Sequence, residues 1–163
     1  MGFDIQQATA CLQSLDLVTL FQVLGWTVPT DQPAIAIKAC KRSYRAQCIA
    51  QRGNTKVWEI KLSAPVDLSV QIKTKLHKSI HKKHPQPLIV FTDRQCCRSL
   101  WCWQSNYGRL QSLVFVRHQP LANWYIRLRY LANYSNSAPL ELYSRTVDCG
   151  EFTQQLRQQL NQL

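Results

Sequence analysis

Glu59 and Lys61 are the residues of this chain whose types and spacing best suit chemistry, within the run Lys56-Val57-Trp58-Glu59-Ile60-Lys61-Leu62. Side chains on a strand alternate between faces, so Val57, Glu59 and Lys61 share one face and Trp58, Ile60 and Leu62 the other. A carboxylate beside an ammonium suits metal-assisted hydrolysis: the acid helps hold a divalent ion, and the lysine orients or deprotonates the attacking water. A lone carboxylate is a poor holder of Mg²⁺, which calls for a second oxygen donor. The preceding strand candidate, Tyr44 to Ala50, holds no acid, and Asp31 lies upstream of the first strand. Gln47 or Gln51 would supply only a neutral oxygen. A Glu-x-Lys pair is also what an ordinary solvated strand face carries, so the pair alone does not establish hydrolysis.

The elements that must position this pair follow from periodicity. Gln6 to Leu24 has the apolar spacing of a helix, through Ala8, Leu12, Leu15, Val18 and Val23, and Gly25 stops it. Three strands are expected next, over Ala34 to Cys40, Tyr44 to Ala50 and Lys56 to Leu62, with a turn at Gly53 and Asn54. Pro65 opens a helix expected to run to about Lys83, with Leu68, Ile72, Leu76 and Ile80 as its buried stripe. Leu88 to Thr92 is a nearly all-apolar run, as in a strand covered on both faces. Arg98 to Gln104 and Leu113 to Arg117 are further strands, joined around Asn106, Tyr107 and Gly108. Leu121 to Ala132 reads as a helix, and Glu151 to Leu163 as a closing one with Phe152, Leu156 and Leu160 as its apolar stripe. The expected architecture is α/β, a mixed β-sheet flanked by helices, in the order α-β-β-β-α-β-β-β-α-α. It forms one domain over residues 1–163: an N-terminal helix and turn (1–33), a core (34–132) and a C-terminal loop and helix (133–163).

Charge points to a partner. Lys and Arg total 20 against 9 Asp and Glu, a net charge of +11 over 163 residues. That excess favours a polyanion, nucleic acid first and an anionic membrane second. No apolar run approaches the roughly 20 residues that span a bilayer. Met1 to Asp4 lacks the layout of a secretory signal, and the 7 cysteines have no regular spacing, so a cytoplasmic protein with reduced thiols is expected. The outer face of the 65–83 helix carries Lys73, Lys75, Lys78, Lys82 and Lys83. With Lys41, Arg42, Arg45, Arg94 and Arg98 these are the candidate nucleic-acid-binding residues.

Helix, three-strand meander, helix, strand is the order of the PD-(D/E)XK nuclease core, which this chain resembles. The resemblance implies that Glu59 and Lys61 stand for the second half of that motif, while the acid of its first half is absent. A longer likeness runs from about Leu20 to Leu131. Leu20-Phe21-Gln22-Val23-Leu24-Gly25-Trp26 resembles the "LF..LGW" opening of N-terminal domains of large DNA adenine methyltransferases from restriction–modification and phage-defence systems. Val57 to Ile60 is similar to a strand of those domains. Pro87 to Arg94, followed by Ser99 to Trp103, is similar to their "LIFTDR…WVW" hairpin, and Gln119-Pro120 with Arg127-Leu128 to their closing segment. The chain has no Asn-Pro-Pro-Tyr segment and no Gly-rich cofactor loop, so the resemblance implies a front domain standing alone, with a targeting or accessory role on DNA and a degenerate nuclease core.

Other constellations are open to bland and functional readings. His77, His81 and His84 have a spacing that binds metals on a helix, but interleaved lysines repel a cation. Histidines near a basic face would strengthen binding below about pH 6.5. Cys96, Cys97 and Cys102 lack zinc-ribbon spacing. Trp101, Trp103, Tyr107 and Trp124 could stack bases, though core packing is their commoner fate. The leading expectation is therefore a catalytically inactive nucleic-acid-binding accessory subunit, on DNA ahead of RNA, within a larger assembly, with no cofactor and no resident metal. The first alternative is an Mg²⁺-dependent endonuclease using Glu59 and Lys61. The second is a protein–protein adaptor working through the Trp-rich hairpin. A homodimer through the closing helix is compatible with all three.

Overall fold

The computed structural model describes residues 2–31, 33–62, 69–105, 108–117, 122–135, 140 and 142. It is an α/β structure in which six strands form one mixed sheet in sequential order, β1 to β6. The strands are β1 (Ala34–Ala39), β2 (Arg42–Arg52), β3 (Thr55–Lys61), β4 (Leu88–Asp93), β5 (Arg98–Gln104) and β6 (Leu110–Val116). The helices are α1 (Ile5–Ser14), α2 (Leu17–Val23), α3 (Val70–His81) and α4 (Ala122–Ala132). β1, β2 and β3 form an antiparallel meander, α3 lies between β3 and β4 in the chain, and β4 pairs parallel to β3. A parallel pair cannot be closed by a tight turn, which is why a helical connection stands there. β5 and β6 continue antiparallel.

Two apolar layers sandwich the sheet. On the front face, Val57, Leu88, Val90, Trp101, Trp103 and Phe115 pack against α1, α2 and α4. On the back face, Ile37, Tyr44, Ala46, Trp58, Ile60, Ile89 and Phe91 pack against Leu76 and Ile80 of α3. The all-apolar run of β4 is thus covered on both sides, as its composition predicts.

Two local features depart from the sequence reading. The first helix is two helices. Leu15 adopts φ 62°, breaking the helix, and Asp16 caps α2 by accepting from the Thr19 N–H at 3.3 Å. The left-handed residue costs about 1–2 kcal/mol, offset by burial of the Leu15 side chain. α3 begins at Val70, where Ser69 is its N-cap and accepts from the Ile72 N–H at 3.2 Å. Pro65 to Leu68 and the closing helix expected at Glu151 to Leu163 lie outside the described residues. β2 carries a bulge between Cys48 and Ala50. Cys48 belongs to the back core, while Ile49 and Ala50 both belong to the front core. The extra residue inverts the parity of everything after it, which turns Arg52 toward the front helices. No described helix is long and apolar enough to cross a membrane.

Candidate nucleic-acid interface

Glu59 sits on the front face in the middle of the sheet and is only 7 % exposed. Its Oε2 accepts a hydrogen bond from Thr92 Oγ1 at 2.9 Å. Gln47 stands directly opposite it on β2 and Val90 on β4. Of the two glutamines weighed from sequence, Gln47 is therefore the neighbour of Glu59. Gln51 lies toward the other end of β2, with its Nε2 donating to the Gly53 carbonyl at 2.9 Å. Among the described residues no group of three or more His, Cys, Asp or Glu is placed to hold a metal ion. An amide facing one buried, hydrogen-bonded carboxylate does not make the donor set that a hard divalent cation requires.

Lys61 is exposed on the same face, opposite Thr92. The register that pairs Ala46 with Ile60 puts Arg45 opposite Lys61, one step further along. Arg45 is flanked by Tyr44 and Ala46, which are both buried on the back, so it projects to the front. Lys38 lies between back-facing Ile37 and Ala39 and projects the same way. Lys38, Arg45 and Lys61 are exposed, as are the small residues Ala34, Ala36 and Ser43 on the same face. Three cations thus stand on three adjacent strands spaced about 4.8 Å apart. None of them forms an ion pair among the described residues. Like charges placed opposite each other destabilise a sheet, and a bound polyanion would relieve that repulsion. Lys38 was missed in the sequence reading, although its alternation with Ile37 and Ala39 was the signal for it.

The other candidates separate. Lys75, Lys78 and Lys82 are exposed on the side of α3 opposite Leu76 and Ile80, so they face away from the back of the sheet. Lys73 is half-buried, and Lys83 is exposed just past the helix end. Lys41 and Arg42 are exposed at the β1–β2 turn, where Cys40 and Lys41 both have positive φ, 50° and 68°. Arg94 is exposed in the β4–β5 turn. Arg98 is engaged: its Nε donates to Asp93 Oδ2 at 3.2 Å, and Asp93 Oδ1 accepts from the Cys96 N–H at 3.2 Å. Burial alone would raise the Asp93 carboxyl, but these hydrogen bonds and the Arg98 charge hold it below its ordinary value. The exposed lysines of α3 and the trio Lys38, Arg45 and Lys61 lie on opposite sides of the sheet, because α3 packs on the back face.

The histidine constellation is corrected. α3 ends at His81, so His84 leaves the helical face and packs against Trp58, with ring centroids 4.9 Å apart. His77 points into the back core, and burial, with neighbouring His81, pushes its imidazole down to about 4. His84 is also lowered, by burial and by Lys56 and Lys83. The His77 ring therefore stays neutral at pH 6.5 and does not supply the strengthening of binding expected below that pH.

Trp101, Trp103 and Trp124 are at most 1 % exposed and fill the front core. They offer neither a base-stacking platform nor an indole contact surface for an adaptor. Tyr107 lies outside the described residues. The six described cysteines are free thiols. A hydrogen bond to Asp93 raises the Cys96 thiol, and burial pushes that of Cys102 up to about 12, so neither is an activated nucleophile.

No protein-family model, no curated protein and no solved structure matches this chain.

Proposed function

We propose that this chain is a nucleic-acid-binding accessory protein that grips the phosphate backbone without a metal ion and without cutting it. The observation that carries the reading is the trio Lys38, Arg45 and Lys61, exposed and without ion pairs among the described residues, around a Glu59 whose cross-strand partner is an amide. The cations supply counterion-release affinity. Among the described residues no second carboxylate stands opposite Glu59 to complete a metal-assisted route. The meander, the connecting helix and the parallel fourth strand support a PD-(D/E)XK-type core with Glu59 and Lys61 on one face. Together with the resemblance to methyltransferase front domains, they support placement in a DNA-processing or genome-defence assembly.

The test is fluorescence anisotropy of a labelled duplex across a salt series, beside a nicking assay with Mg²⁺ or Mn²⁺. Binding should weaken linearly on a log–log plot, with a slope of about −0.9 for each phosphate neutralised, and the duplex should stay intact. An absence of binding at low salt would sink the reading. Cleavage by wild type that Glu59→Ala abolishes would replace it with the endonuclease alternative.

A further inference from the structure

We infer that the chain has two phosphate-backbone surfaces, one on each side of its sheet, and that a single molecule holds two segments of duplex DNA at once. The inference rests on the nucleic-acid reading above and adds a bridging activity to it. One surface is the front shelf of Lys38, Arg45 and Lys61. The other is the outward stripe of α3, where Lys75, Lys78 and Lys82 stand at i, i+3 and i+7 and therefore lie along one side of the helix. Neither set is paired with an acid among the described residues.

The two sets cannot serve one stretch of backbone. Between them lie the sheet and α3 itself, a cylinder about 10 Å across with its side chains. The back core of Trp58, Ile60, Leu76 and Ile80 fixes the helix to the sheet, so no rearrangement short of unfolding brings the two stripes together. Of the described acids, Asp4 and Asp16 cap α1 and α2, Glu59 is bonded to Thr92, Asp93 is bonded to Arg98, and Asp31, exposed before β1, forms no ion pair with either set. Both stripes are lysine- and arginine-rich without an exposed aromatic among their members. That composition holds phosphates rather than reads bases.

The experiment uses the full chain, a biotinylated duplex on beads and a second, fluorescent duplex. Wild type should carry the fluorescent duplex onto the beads. Two triple variants separate the surfaces: Lys38→Glu with Arg45→Glu and Lys61→Glu, and Lys75→Glu with Lys78→Glu and Lys82→Glu. Each should still bind one duplex in anisotropy, with the salt slope of the surface it keeps, about −2.7 for three phosphates neutralised. Each should lose capture of the second duplex by more than tenfold, and an equimolar mixture of the two should not restore it. Glutamine versions of both triples, with melting curves, guard against loss of folding.

If wild type fails to bind a single duplex, both the bridging and the function proposed above fall. If it binds one duplex but captures no second, bridging alone falls. Bridging is also overturned if the α3 triple keeps full capture, which would mean that one surface and a dimer suffice. Binding of the α3 stripe to anionic vesicles in place of DNA would likewise overturn it.

Discussion

Replacing Arg52 with methionine is expected to lower the stability of the fold by about 3 kcal/mol while leaving the salt dependence of DNA binding unchanged. The guanidinium is half-buried where two front helices end. Its Nη2 donates to the Leu24 carbonyl at 3.0 Å, and its Nη1 donates to Leu131, Ala132 and Tyr134 carbonyls at 3.0, 2.8 and 3.3 Å. It also lies over the Trp26 ring, 5.4 Å from the centroid. Hydrogen bonds to a charged group are worth about 1.5–3 kcal/mol each, so a simple sum would reach about 6–12. That sum overstates the loss. Leu131 keeps its bond from Trp26 Nε1 at 2.9 Å, and carbonyls at a half-buried helix end accept water in place of the arginine. About two uncompensated bonds remain, hence about 3 kcal/mol. For a chain of this size that lowers Tm by about 6–12 °C. Urea unfolding measures it directly, and Arg52→Lys should recover little, because an ammonium cannot span both helix ends as a planar fork does. A loss below about 1 kcal/mol would refute the view that one side chain ties α2 and α4 to β2. A salt slope that became shallower in the methionine variant would mean that Arg52 contacts phosphate after all.

Gln47→Asp places a carboxylate opposite Glu59 and is expected to bind a divalent cation more tightly than wild type, read by Tb³⁺ luminescence or calorimetry with Mn²⁺. If the variant stays inert, the pairing of these two positions does not describe a latent metal site. Thr92→Val removes the hydroxyl that donates to Glu59 Oε2 and should destabilise by about 1–3 kcal/mol in urea. No loss there would show that the carboxylate takes its hydrogen bonds elsewhere. His77 is lowered from 6.5 to about 4 in the fold, so its neutral form is the one the fold favours. Its contribution to stability is complete above pH 6.5 and lost as pH falls from 6.5 toward about 4. Urea midpoints should therefore drop across that window, and His77→Leu should flatten the drop; an unchanged pH profile in the variant would reassign the effect. Gly25→Ala should destabilise, since Gly25 has φ +87° and an added Cβ would lie 2.7 Å from Arg52 Nη2. An unaltered melting temperature would show that the guanidinium moves aside freely.

Local pattern was enough to find the strands and the face that Glu59 and Lys61 share. Strict alternation from Thr55 to Lys61 survives in the structure, because nothing in β3 interrupts it. The same rule fails in β2, where the bulge lets Ile49 and Ala50 both face front. Extending the alternation of Tyr44, Ala46 and Cys48 would send Arg52 to the back. The bulge sends it forward, into the carbonyls of α2 and α4. No composition cue marks a bulge in Cys-Ile-Ala, and nothing in the sequence singles out Arg52. The break at Leu15 was hidden for a related reason. A buried leucine fits the helical apolar stripe and gives no hint of a left-handed backbone, whereas Asp16, a side chain able to cap a second helix, was the available signal.

The division of the cations into two surfaces needed knowledge of the side to which α3 crosses, and a stripe of lysines carries none. The sequence does hold part of the answer. Trp58 and Ile60 are as apolar as Val57 on the opposite face, and Leu88 to Phe91 is apolar at every position, so both faces of β3 and β4 must be covered. With α1 and α2 packed on Val57, the helix linking β3 to β4 is left the face of Trp58 and Ile60. Its exposed lysines must then look away from Lys61. The argument turns on burial of the two faces rather than on charge, and it makes the backbone grip of Lys38, Arg45 and Lys61 independent of the α3 stripe.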